Sequence, residues 1–417
     1  MKEKLPLPRG YLLEQRFARP TVANIPATVR SELAGLRLPD QIRPGQTVAI
    51  GAGSRGIRGI AEIVKAVVDE IKALGASPFI VPAMGSHGGG TVEGQREVLA
   101  SCGVSEEQMG CAIHATMDVV EIGRTRLGAP VLLDRRAAAA DHVAVVNRVK
   151  PHTKMIGTIE SGLVKMSLIG LGNREGARIY HRAIDRHSWT EVFESACEVL
   201  LRRSPIRFGL AVVQNAYEEI AKLAAVPAHD FLRLEPELLE EAKRLMGRLP
   251  FEDVDLLVVD EMGKEISGTG MDPNITGRKE SSPMKVARVF VRDLTERSRG
   301  NGQGIGLADF TTRRLVDRID FDTLYLNSQT AYRTDTCKIP MTFDTDLEAL
   351  RVATKMAGVE DPAGYKLVWV RNTLQLERIF VSEAYATHLE KKHAPSVLRG
   401  PLEIEFDGDG NLISPWD

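Results

Sequence analysis

The alternation of apolar and polar positions divides the chain into successive βα units. TVAI (47–50) reads as a buried strand, followed by the loop GAGSRG and a helix from about Ile57 to Leu74. Ile60, Val64, Val67, Ile71 and Leu74 recur every three or four positions, which places them on one helical face, and Gly75 is the stop signal. A second strand, FIV, opens onto GSHGGGT, where Thr91 is the expected N-cap of a helix VEGQREVLAS that Gly103 ends. AADHVAVVN reads as a third strand, and a helix from about Trp189 to Arg202 and a strand GLAVV (209–213) follow. A helix from about Pro236 to Met246, with Leu234, Leu238, Ala242 and Leu245 along one side, is expected to bridge two domains. VDLLVVD (254–260) begins the second domain, and KLVWV (366–370) and PLEIEF (401–406) alternate there with helices such as DLEALRVATKMAG. DGDGN (407–411) lacks the later ligands of a calcium loop and reads as a hairpin turn. This alternation predicts an α/β protein of two α/β domains with mostly parallel sheets, over residues 1–247 and 248–417, with the active site in the cleft between them.

Composition narrows the class. The 417 residues are 43% hydrophobic and 26% charged with formal net charge −2, so the chain is globular and has no basic excess to suggest nucleic acid. The N-terminus has no apolar signal region and no run approaches the ~20 apolar residues of a membrane span, which points to a cytoplasmic protein with no membrane partner. Cys102, Cys111, Cys197 and Cys337 are scattered without a CxxC, against a zinc site or a disulfide framework.

The candidate chemistry centres on Asn147–His181, NRVKPHTKMIGTIESGLVKMSLIGLGNREGARIYH, which collects His152, Lys165 and His181 in a glycine-dense stretch. Glycine costs backbone entropy unless the chain must bend tightly or approach a ligand. A lysine framed by Leu163, Val164, Met166 and Leu168 loses solvation, which favours its neutral, nucleophilic form. The same residues also read as a snorkelling lysine and a hydrogen-bonded structural histidine.

Two other motifs are testable in place. GAGSRG matches GxGxxG, but the strand after it ends in Pro82-Ala83-Met84 with no acid for a ribose; this argues against NAD while a phosphate at the helix start stays open. HGGG resembles an esterase oxyanion loop, yet the chain contains no GxSxG nucleophile elbow.

Pro151-His152, the run Gly157 to Gly162, Lys165 and His181 sixteen positions later together resemble the core of the lactate racemase family, whose members racemise or epimerise 2-hydroxy acids with a nickel-pincer nucleotide. The longer His152–Lys165 interval marks a divergent branch. The resemblance implies a cofactor attached covalently through Lys165, with Gly53 and Ser54 in its cradle, and His181 as the nickel ligand completing a square-planar S, C, S, N set. It further implies His87 and His152 as the acid and base pair, and Arg55 with Arg278 or Lys279 holding the substrate carboxylate. Reversible hydride transfer to the cofactor, and accessory proteins that make it, are part of the same expectation. Departures are local: Ala52, Gly53 and Ser54 stand where the family shows an acid and a threonine, and the loop 276–279 lacks the family's glutamine. They favour a hydroxy acid or sugar acid other than lactate. A nicotinamide-dependent oxidoreductase and a noncatalytic nucleotide-binding protein of the same fold are the competing readings.

Overall fold

The computed structural model describes residues 7–53, 56–184, 186–330, 333–390 and 394–416. The chain divides into two compact units, Ala18–Met246 and Met1–Phe17 with Gly247–Asp417. Residues 7–17, grouped by the sequence reading with the N-terminal domain, therefore belong to the other unit. Gly10–Glu14 is the reason: it pairs antiparallel with Arg378–Ser382 and with Ser396–Leu402, and Leu12 and Leu13 are buried there.

The Ala18–Met246 unit is built on a five-stranded sheet. Its strands are β1 (Thr47–Ala52), β2 (Ser77–Pro82), β3 (His142–Arg148), β4 (Ile206–Gln214) and β5 (Ile220–Pro227), in the order β2-β1-β3-β4-β5. The first four run parallel and β5 is antiparallel to β4. Val48, Ala49, Ile50, Val143, Ala144, Val145 and Val146 are buried without alternation, as strands covered on both faces must be. Helix α1 (Ile60–Ala73) buries Ile60, Val64, Val67 and Ile71, the stripe read from the sequence. Thr91 caps Val92–Ser101 through its hydroxyl, which accepts from Gly94 N at 3.1 Å. Burying side chains of this kind contributes roughly 1.5–3 kcal/mol each, which is what fixes the strand ends relative to one another.

In the other unit an eight-stranded mixed sheet runs in the order 341–343, 310–312, 285–294, 253–262, 367–370, 378–382, 10–14, 396–402, the first five strands parallel. The C-terminal strand expected at 401–406 lies at Ser396–Leu402 instead, while Phe406 bridges Leu412 across the DGDGN turn closed by Asp407 and Asn411. Arg278 donates to Leu307 O, to Val286 O at 2.7 Å and to the Asp309 carboxylate, so its guanidinium ties the loop after residue 262 to the amino ends of two strands. In this geometry it is a strut rather than a ligand-facing cation. Lys279 is buried in the same loop, with its N–H donating to Pro273 O. Among the described residues no helix is long and apolar enough to cross a membrane.

Candidate active site

Register brings the carboxyl ends of the central strands level: Ala52 pairs with both Pro82 and Val146. The chain steps from β1 to β2 on one side and returns to β3 on the other, so the loops after β1 and β3 flank a reversal of strand order, where open α/β sheets bind ligands. Arg55 and Ser54 belong to the loop after β1 and lie outside the described residues. His87 follows β2 and His152 follows β3.

All three loops converge on one helical run. It begins at Gly162, comprises α2 (Leu163–Lys165), and continues as a π-helical turn, Met166–Gly170, of the kind that recurs at functional sites. From β1, Gly53 approaches so closely that a Cβ there would lie 2.9 Å from Met166 Cε and 3.0 Å from Asn147 Oδ1, so a side chain there would have to displace the end of Met166. From β2, Gly85 N donates to Gly170 O at 3.1 Å, and the exposed His87 follows two residues on. From β3, Asn147 Nδ2 donates to Gly162 O at 2.9 Å and Lys150 N to Ser161 O at 2.9 Å, folding the 149–162 loop back on itself.

His152 is held in that folded loop. Its Nδ1 accepts from the backbone N–H groups of Lys154 and Met155, at 3.1 and 3.0 Å, so the neutral ring carries its proton on Nε2. The His152 N–H donates to Glu160 Oε2 at 2.7 Å; Glu160 is buried and lies 3.5 Å from Lys243 Nζ. Trp189 stacks on the His152 ring at 6.1 Å and anchors itself through Nε1 to Ile159 O at 2.8 Å.

Lys165 is half-buried, and desolvation pushes its amine down to about 8, which leaves a substantial neutral fraction near neutral pH. His181 lies on α3 (Asn173–Ile184), which follows the π-helical turn directly and packs on it. The start of α3 is pinned by Asn173, whose left-handed backbone (φ 53°) lets its amide donate to Asp134 Oδ2 at 2.9 Å. Asp134 is buried, so its carboxyl is raised, and it also accepts from Arg136 N and Ala137 N. Among the described residues no three His, Cys, Asp or Glu side chains gather as a metal site. The desolvated Lys165 amine and the close approach of Gly53 fit an organic group attached at this turn.

Sequence reasoning missed Glu235, which is wholly buried on α5 (Phe231–Leu245). Its carboxylate accepts from Val164 N at 2.9 Å and from Leu163 N, and desolvation pushes it up to about 7. A signal was present: Phe231, Glu235, Leu238, Leu239 and Ala242 form the buried face, so a charge sits inside an apolar stripe. The helix was expected to start at Pro236, which hid Glu235 in the preceding loop; Pro236 is instead accommodated inside the helix.

A parallel α/β unit whose strand ends converge on a lysine-bearing turn is thus the class that fold and site define. Residues 20–191 match the family model of the lactate racemase N-terminal domain. Over those residues the chain resembles the lactate racemase family. Its fold is similar to that of the lactate racemase apoprotein from Thermoanaerobacterium thermosaccharolyticum, with TM-score 0.55 and 10% identity over 88% of this chain and 99% of that one. A protein from Thermotoga maritima is similar with TM-score 0.51 and 15% identity, over 84% of this chain and 98% of that one. At such identities the likeness concerns the fold. No curated protein matches the sequence.

Proposed function

We propose that the protein is a cytoplasmic racemase or epimerase of a 2-hydroxy acid other than lactate, working with a nickel-pincer nucleotide attached through Lys165. The observation that carries this reading is the convergence of three strand-end loops on the turn bearing a desolvated Lys165, inside a lactate racemase N-terminal domain. When bound, that group supplies a hydride acceptor for C2 of the substrate.

The chain's own residues do the rest. Lys165 forms the covalent attachment through its neutral amine, and His181 gives one nitrogen to nickel. Gly53 admits the group close to the backbone. Arg55 pairs with the substrate carboxylate, to which a guanidinium fork is matched. His87 and His152 serve the hydroxyl proton of the two enantiomers, and the resting tautomer of His152, with its proton on Nε2, makes it the donor of the pair at the outset. Trp189 and Glu160 keep that ring in register with the strand end. Accessory proteins that build the cofactor are the partners this requires.

The test is to purify the chain from a host that makes the nickel cofactor, examine the Lys165 peptide by mass spectrometry, and screen single-enantiomer 2-hydroxy acids by chiral chromatography. A Lys165 adduct with interconversion of one acid is expected. Racemisation by a chain whose Lys165 is unmodified would overturn the assignment.

A further inference from the structure

We propose that Glu235 is a positioning residue for Lys165, its buried carboxylate reaching from α5 to cap the turn that starts at Gly162 and so holding the lysine in its water-poor setting. The inference rests on the reading of Lys165 as the reactive amine.

The first backbone N–H groups of a helical run need acceptors, and a local Ser, Thr, Asp or Asn ordinarily supplies one. Here the capping position is Gly162, which has no side chain to offer, and a carboxylate from more than seventy positions later takes over, accepting from Val164 N and Leu163 N. Gly162 makes that reach possible, because a Cβ at this position would collide with Glu235 Oε1.

The arrangement is a poor one for stability alone. Glu235 is 0% exposed and its Oε1 has no hydrogen-bond partner, so its desolvation is left uncompensated. An apolar side chain of the same volume would remove that defect, as replacements of buried charges often show. A titratable neighbour is Cys197 on the helix Trp189–Arg203, whose thiol is pushed up to about 12 by burial and, secondarily, by Glu235 itself. It stays a neutral thiol, so it adds no second negative charge beside the carboxylate. What the carboxylate does accomplish is geometric: it fixes the first turn of the run in which Lys165 is the third residue. Charge and reach can be separated, since the cap needs one well-placed acceptor oxygen and not a negative charge.

The experiment uses the full chain purified without cofactor. Trace acetylation with acetic anhydride across a pH series, with the Lys165 peptide quantified by mass spectrometry, reads the titration of this one amine. Wild-type Lys165 should titrate near about 8. E235Q keeps an acceptor oxygen in place and should stay within about twofold of wild type at neutral pH. E235D keeps the charge but is one methylene short, and Lys165 labelling at neutral pH should fall roughly tenfold for each unit by which its pKa rises. E235L, which retains volume and removes the orphaned oxygen, should behave like E235D and serves where E235D fails to fold. A Lys165 profile unchanged in folded E235D or E235L would overturn the proposal, as would an equal fall in E235Q. A wild-type Lys165 that titrates like an ordinary surface lysine would instead remove the reactive-amine reading on which it rests.

Discussion

Lys165→Met separates a lysine kept for chemistry from one kept for packing. The amine titrates at about 8 in the folded chain, against about 10.4 for a solvated lysine. Each unit is worth ~1.4 kcal/mol, so below pH 8 the folded state bears a penalty of up to ~3 kcal/mol for holding this ammonium. The sign follows from proton binding. Between about 8 and about 10.4 the unfolded chain binds the proton more tightly, so stability rises with pH there, and above that range both states are neutral and the penalty is gone. Methionine has similar volume and no charge to desolvate. K165M should therefore stabilise the Ala18–Met246 unit at pH 7 by about 2–3 kcal/mol, roughly 2–4 °C in Tm per kcal/mol for a unit of this size, with the gain fading towards pH 10. Urea unfolding of wild type and K165M at both pH values measures it. A K165M chain that is less stable at pH 7, or equally stabilised at both pH values, would show that the amine is not held against its solvation and would refute the argument.

Three further outcomes follow from the site. His87→Ala and His152→Ala should each lower racemisation by ~10²–10⁴-fold with the circular dichroism spectrum unchanged; losses under about threefold would remove that residue from the proton pathway. His181→Ala should lose nickel, measured by plasma mass spectrometry on chain from a cofactor-making host, while keeping the Lys165 adduct; unchanged nickel content would count against the ligand assignment. Product formed in D₂O should retain protium at C2, because a hydride does not exchange with water, and deuterium appearing at C2 in step with interconversion would require proton abstraction instead.

Local pattern sufficed for several elements. The stripe on Ile60–Ala73, the Thr91 cap, the strand at 142–148 and the Asp407–Asn411 turn are set by side-chain period, a hydroxyl one residue ahead of a helix, and turn chemistry, all of which act within a few residues. The glycine-dense stretch singled out His152, Lys165 and His181 as candidates, while His87 was named only through the family resemblance.

Other features depended on partners that no local pattern specifies. The strand Gly10–Glu14 was not read from the sequence, and only its two antiparallel neighbours at 378–382 and 396–402 assign it to the second unit's sheet. Arg278 looks like a substrate cation in a polar loop until the fold sets Asp309 and two backbone carbonyls around it. The tautomer of His152 is decided by two backbone N–H groups whose direction exists only once Glu160 and Trp189 have closed the loop. Pro236 marks a helix start by local rule, yet burial of Phe231 and Glu235 carries the helix back through it. The cap on the Lys165 turn is the extreme case: Gly162 and Glu235 are distant in the chain, and only packing α5 against α2 brings the carboxylate to the two N–H groups. Period and propensity reach a few residues along the chain, whereas acceptors, charges and desolvation at this site are delivered by elements tens of residues away.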